Sequence, residues 1–262
     1  MIQKRKALKN ALLSLIALIL IVPSLSYADE SNLEVAGWIP YWRDSQGIKD
    51  AKRHLNDIDT VYPFAFTVTT QGIVKDQAGL TEKDWKTFVK TAQKEDVEII
   101  PTIMWGDGAS IHAVLSDKKK RAEHIESITD MVRKGKYDGV DIDYEGKKSE
   151  TINFFSLFLE ELKEELGNKE LVCTIEARTP PASLYKEIPA VISYANDYKE
   201  IGKHCDRIQL MAYDQQRADL KLNAEKTGAP YIPLADVDWV EKVVELALQS
   251  FPEEKIMLGI PS

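Results

Sequence analysis

The chain has 262 residues, 44% hydrophobic and 29% charged, with 13 Gly, 11 Pro and two Cys, which excludes a disordered tail, a disulfide-stapled miniprotein and a polytopic membrane protein. The formal charge of -8 understates the acidity of the body, because Lys4, Arg5, Lys6 and Lys9 lie in an acid-free first stretch; setting those four aside leaves 30 basic against 42 acidic residues, or -12. A field of that sign repels phosphate backbones and no basic patch interrupts it, so a nucleic-acid partner is not expected.

The N-terminus reads as an address. A basic flank at 4–9, an apolar run at 11–22, Pro23, and small residues at Ser26 and Ala28 predict a secretory signal peptide over residues 1–28, cleaved after Ala28. The run is shorter than the ~20 apolar residues of a spanning helix, so no stable membrane anchor is expected after cleavage. An uncleaved anchor is the competing reading. The mature domain, 29–262, is then secreted or held in the periplasm or cell envelope. No cysteine lies near the cut, which excludes a lipoprotein. Cys173 lies in an apolar segment and Cys205 precedes another; a bridge between them and two buried thiols both remain open, and neither has zinc-site spacing.

Seven short segments rich in Val, Ile, Leu, Phe and Tyr follow, at 34–41, 60–68, 98–105, 139–145, 171–178, 207–213 and 255–260. Helical candidates separate them, at 82–95, 119–134, 151–166 and 236–250. In the third of these, Ile152, Phe155, Leu159 and Leu162 recur at three- and four-residue steps, one apolar stripe for a sheet. Strand and helix in alternation, with no hairpin signals, predict a parallel sheet covered by helices. No glycine-rich phosphate turn follows the first strand, so a (β/α)8 barrel is preferred to an open dinucleotide fold. The chain stops as the seventh strand ends, so the domain is expected to be a barrel incomplete at its C-terminus, a fragment of a longer protein.

The chemistry concentrates in Asp138-Gly139-Val140-Asp141-Ile142-Asp143-Tyr144-Glu145. Residues two apart on a strand share a face, so Asp141, Asp143 and Glu145 line one side while Val140, Ile142 and Tyr144 meet the helices. Inside a barrel these acids run toward the C-terminal mouth, where barrel enzymes place their reacting groups. Three acids at that density raise at least one pKa, and Glu145, nearest the mouth, is the natural proton donor. A calcium loop competes poorly, because Ile152 stands where its bidentate Glu is required. A solvated edge strand competes poorly with such apolar neighbours.

The same run resembles, in full, the DxxDxDxE signature of glycoside hydrolase family 18, the chitinase-like family. Gly37-Trp38-Ile39-Pro40-Tyr41-Trp42 is similar to its first strand, Phe64-Ala65-Phe66 to its second, Met211-Ala212-Tyr213-Asp214 to its sixth and Leu258-Gly259-Ile260-Pro261 to its seventh. The resemblance implies a retaining hydrolysis of glycans containing N-acetylglucosamine (chitin, chitooligosaccharide or peptidoglycan type), with no enzyme nucleophile: the substrate's acetamido oxygen attacks the anomeric carbon to give an oxazolinium. Carried over by position, Glu145 is the general acid and then base, Asp143 orients the acetamido group, Asp141 supports Asp143, and Tyr213 donates to the acetamido oxygen. Asp214, Met211 and Asp138 belong to the substrate-binding set. No metal or cofactor is implied.

Aromatic residues beside strand ends suggest sugar stacking, Tyr41 and Trp105 foremost, with barrel core as the alternative. Trp239 reads as helix core, and His112, His124 and His204 as surface or helix positions. Glu176 and Arg178 alternate inward from the fifth strand, and a pair across the site and a purely structural ion pair are both open readings. Two departures from the family stand out: no eighth-strand tryptophan is present to floor the reactive subsite, and Trp105-Gly106-Asp107-Gly108 replaces a Ser-containing Gly-Gly turn. The rival reading is a non-catalytic, chitolectin-like glycan-binding protein or an inactive fragment. Such members lose the terminal Glu of the signature, and Glu145 is present. Oligomeric state, endo or exo action and the particular glycan are not legible.

Overall fold

The computed structural model describes residues 33–226 and 231–261 of the chain. The segment expected to be the signal peptide lies outside them. Strand and helix alternate in the order β1 (Ala36–Pro40), α1 (Asp44–Ala51), β2 (Thr60–Val68), β3 (Val74–Asp76), α2 (Lys83–Ala92), β4 (Glu98–Ile99), β5 (Thr102–Trp105), α3 (Gly108–Leu115), α4 (Lys118–Gly135) and β6 (Gly139–Tyr144). The second half continues with α5 (Ile152–Leu166), β7 (Glu170–Glu176), α6 (Pro181–Leu184), α7 (Tyr198–His204), β8 (Arg207–Met211), α8 (Leu220–Glu225), α9 (Val237–Leu248) and β9 (Ile256–Leu258).

The main path of the sheet runs β1-β2-β5-β6-β7-β8-β9, every neighbouring pair parallel. Seven parallel strands in chain order form an incomplete (β/α)8 barrel, as the alternating pattern predicts. The sheet curls on itself: Tyr62 Oη on β2 donates to Met257 Sδ on β9 at 3.5 Å. Arg207 on β8 reaches Glu98 at 2.7 Å and Glu170 at 3.2 Å, and its Nη1 donates to Thr60 at 3.2 Å. These contacts close the N-terminal end of the interior beneath an apolar layer of Tyr62, Ile100 and Val172.

Outside, the helices bury the stripes their spacing predicts. In α5, Phe155, Phe158, Leu159, Leu162 and Leu166 are buried, against Val140 and Ile142 of β6, both fully covered. Side-chain carboxylates of Asp107, Asp117, Asp197, Asp219 and Asp236 cap the N-termini of α3, α4, α7, α8 and α9. Each satisfies backbone N–H groups that a helix start leaves open, so part of the acidic surplus is structural.

Two expectations are corrected. The segment 98–105 is two strands rather than one, because Pro101 has no N–H for the ladder. A hairpin exists where none was expected: β3 returns antiparallel on β2 through a turn in which Gly72 holds φ 83, a lone glycine being weak turn punctuation. His124, read as a surface or helix position, lies on the buried face of α4, with Nδ1 2.7 Å from Gly72 O and Nε2 2.5 Å from Tyr144 Oη. Cys173 on β7 and Cys205 after α7, left open by the sequence, form a disulfide with Cα atoms 6.0 Å apart.

Candidate active site

Period two on β6 sorts the acids as expected. Asp141 and Asp143 point into the barrel, and Tyr144 packs outward on Phe158 and Phe155. Asp141 is fully buried and held on both oxygens, by Thr102 Oγ1 on β5 and Thr174 Oγ1 on β7, each donating at 2.8 Å. Burial pushes its carboxyl up to about 6 against those two hydroxyls. Asp143, one step nearer the mouth, is pushed up to about 8 by burial and then by the neighbouring charges of Asp141 and Glu145. Its Oδ1 is buried with no partner. Glu145 lies just beyond the strand, and its carboxyl is raised first by partial burial and then by Glu176.

These groups face a cleft of about 590 Å³. Trp38, Pro40, Trp42 and Phe64 from the ends of β1 and β2 form one wall, and Met211, Tyr213 and Asp214 from the end of β8 form another. Tyr213 lies against Gly259, where a Cβ would come within 2.9 Å of its ring. Burial and the nearby carboxylates push its hydroxyl up to about 12, so it stays a donor. Asp214 holds φ 54, a left-handed conformation that turns the chain sharply after Tyr213.

A family model described as glycosyl hydrolases family 18 matches residues 34–262. The chain belongs to that family. Among its relatives, the uncharacterized glycosylase YvbX of Bacillus subtilis is 24% identical over 156 residues, which is 60% of this chain and 42% of that protein. The curated relatives are longer: the chain's matches cover 32–42% of their length. A chitinase from Chromobacterium violaceum shares the fold with a TM-score of 0.68 at 19% identity, covering 87% of this chain and 68% of that one. The spore cortex-lytic enzyme SleL of Bacillus cereus does so with a TM-score of 0.66 at 19% identity, over 87% and 50% of the two chains.

Within this family-18 chain, six of the nine residues singled out from sequence come together in the cleft or directly beneath it: Asp141, Asp143, Glu145, Met211, Tyr213 and Asp214. Three do not. Trp105 pairs in register with Tyr144 and therefore faces outward, where it is 2% exposed and packs edge-on against His124 and Tyr144; Met104 takes the inward position beside Asp143. Asp138 lies at the opposite end of β6, where its Oδ2 accepts from Ile99 N at 2.9 Å, a strand-joining role far from the mouth. Tyr41 falls in a 3-10 turn after β1, outside the strand period, and packs edge-on against Trp42; Trp42 lines the cleft instead.

Glu176 and Arg178 do not pair with each other. Glu176 accepts from Gly146 N at 3.0 Å and from Asn196 Nδ2 at 2.9 Å, which fixes the loop that carries Glu145. Lys147 escaped the sequence reading. Its side chain turns back under that loop, donating to Tyr144 O, with Nζ 4.5 Å from the Phe155 ring centre. Burial lowers its pKa against the pull of Glu176, Asp143 and Glu145. No period or motif marks a lysine as buried, so only the tertiary fold reveals it. Trp239 is core, as read, its Nε1 donating to Thr179 Oγ1 at 2.8 Å, but it also borders the cleft.

Proposed function

We propose that this protein is a retaining glycoside hydrolase that cleaves β-linked glycans containing N-acetylglucosamine by substrate-assisted catalysis. The observation that carries the reading is Asp143: a carboxyl beside Glu145, buried, with one oxygen unpartnered. Leaving a buried acceptor unpaired costs ~1–3 kcal/mol. An acetamido N–H is a donor of the right kind to relieve it.

Glu145, its carboxyl raised by partial burial and by Glu176, donates its proton to the glycosidic oxygen as the C–O bond breaks. The acetamido carbonyl oxygen forms the new bond to the anomeric carbon, giving an oxazolinium whose positive charge faces Asp143. Tyr213 donates to the acetamido oxygen and holds it in line. Asp141, locked between Thr102 and Thr174, keeps Asp143 upright and shares the burden of its proton. Glu145, now a carboxylate, takes a proton from water as the water oxygen attacks the anomeric carbon, and two inversions leave the configuration retained. Met211 and Asp214 complete the subsite wall.

Glu145→Gln is the test. It should fold as the wild type and lose at least ~10²-fold in turnover of N-acetylglucosamine oligomers, and proton NMR of the wild-type reaction should show the β-anomer first. Undiminished turnover in the variant, or the α-anomer first, overturns the assignment; binding without turnover in the wild type favours the glycan-binding alternative. We also infer export by the leader at 1–28, ahead of a barrel domain at 29–262. The Cys173–Cys205 disulfide supports that inference, since such bonds persist in oxidising compartments.

A further inference from the structure

The cleft does not end at Glu176. Beyond it lies a groove bordered by Arg178, Tyr194, Asn196 and Tyr198, contributed by the chain after β7 and the start of α7. Arg178 lines it in an unusual setting. Its guanidinium carbon sits 3.7 Å from the ring centre of Tyr194 and 3.8 Å from that of Tyr198, and Nη2 donates to Asn196 O at 2.6 Å. Two aromatic faces and one carbonyl fix the plane of the fork. They leave its charge without an acidic partner among the described residues, and Nε and Nη1 without an acceptor.

This is a conspicuous omission in a chain with 42 acidic residues against 34 basic ones. The carboxylates bordering the groove are engaged elsewhere. Glu176 holds Gly146 and Asn196, Asp197 caps α7 through Lys199 N and Glu200 N, and Glu150 lies 3.8 Å from Lys148. A half-buried guanidinium with a locked plane and free N–H groups is an arrangement that recognises a carboxylate by charge-assisted hydrogen bonds. Its place along the chain matters too. Arg178 is two residues past Glu176, a span of at most ~7 Å, comparable to one hexopyranose unit along a bound glycan.

We propose that the Arg178 groove is a subsite for a carboxylate borne by the glycan, so that the protein acts on an anionic 2-acetamido glycan in preference to a neutral one. The inference rests on the glycosidase reading and narrows it from acetamido glycans in general to those that carry acid groups. The carboxylate could belong to a sugar, as a lactyl ether does, or to a peptide attached to the sugar.

Four tetrasaccharide probes separate these cases: one with free lactyl carboxylates on alternating N-acetylmuramic acid units, the same compound amidated, one whose only carboxylates lie on attached peptides, and chitotetraose. Calorimetric Kd values are measured with the Glu145→Gln protein and kcat/KM with the wild type. The free-acid probe should bind about tenfold or more tighter than its amide. Adding Arg178→Gln to the Glu145→Gln protein should remove that difference while changing the amide and chitotetraose by less than about threefold. Strong binding of the peptide-borne acid alone assigns the fork to the peptide. Equal affinity for acid and amide, with no stronger binding of the peptide-borne acid, overturns the proposal, as does an Arg178→Gln effect of the same size on all four probes, which would mark a latch for the Tyr194 segment. If Arg178→Gln does not fold, the acid-to-amide ratio of the Arg178-containing protein still decides. Selective carboxylate binding without turnover of any probe would sink the hydrolase reading and leave the subsite standing.

Discussion

Lys147 Nζ lies 3.9 Å from Glu176 Oε2, and the two charges act on Glu145 with opposite sign. The lysine lowers the Glu145 pKa and the glutamate raises it. The alkaline limb of kcat/KM reports loss of the proton from the Asp143–Glu145 pair as a unit. Lys147→Met removes the cation, so Glu145 keeps its proton to higher pH and the limb should move upward. Glu176→Gln retains an acceptor for Gly146 N but removes the negative charge, so the limb should move downward. pH–rate profiles on one oligosaccharide check both, and a shift of the two variants in the same direction would refute this account of the site's electrostatics.

Asp143 makes the folded protein sensitive to base. Its carboxyl is raised from 3.8 to about 8 by burial and by Asp141 and Glu145, so the folded state holds a proton that the unfolded chain releases. That contribution is fully favourable below the unfolded value and is lost as pH rises toward the folded one. Asp143→Asn keeps the shape and cannot ionise. It should raise Tm more at pH 8 than at pH 4, by a few degrees, since ~1 kcal/mol moves Tm by roughly 2–4 °C in a domain of this size. Thermal unfolding at the two pH values decides; an equal effect at both would mean that Asp143 is charged in the fold.

How far the sequence reaches is clear from β6 and its neighbours. Alternation of acid and apolar residues placed Asp141, Asp143 and Glu145 correctly, because period two is a property of the strand itself. Trp105, left open between sugar stacking and barrel core by its place beside a strand end, is core. Its face depends on register with Tyr144, and register is a tertiary fact that a four-residue strand does not announce. Asp138 belonged to the signature but lies at the wrong end of the strand to meet a ligand. Glu176 and Arg178 were read as a simple pair, whereas the partners of Glu176 come from segments 20 and 30 residues away. Short helices such as α3 and α7 went unassigned because each spans barely two turns, too little for a periodic signal.

The departure at Trp105-Gly106-Asp107-Gly108 has a steric reason. A Cβ on Gly108 would lie 2.2 Å from Gly146 O, and Gly146 itself holds φ 60. The two loops touch backbone to backbone directly after Glu145, so Gly108→Ala must push the Glu145 loop outward. The variant should lose ~1–3 kcal/mol of stability and, because 1 Å of misplacement costs on the order of 10²-fold, lose kcat well beyond what its stability explains. Denaturant melts paired with kinetics at a temperature where the variant is folded separate the two effects. Wild-type kcat in a folded Gly108→Ala protein would show that the loop contact does not position Glu145.

His124 makes one contribution to the stability of the fold that is sensitive to acid. Burial lowers its pKa from 6.5 to about 4, and its two ring nitrogens are committed to Gly72 O and Tyr144 Oη. A neutral ring serves both, donating from Nδ1 to the carbonyl and accepting from the tyrosine, whereas an imidazolium has no acceptor for the Tyr144 hydroxyl. The sign follows: a depressed histidine adds stability above its unfolded value, and that stability drains away as pH falls from 6.5 toward about 4. His124→Gln should cost ~1–3 kcal/mol at pH 7 through the lost pair of hydrogen bonds. It should also remove the His124 contribution to the slope of stability between pH 6.5 and 4, a window in which Asp141 and Asp143 act with the opposite sign. Urea melts across that range measure the slope, and an unchanged slope in the variant would place the acid sensitivity in groups other than His124.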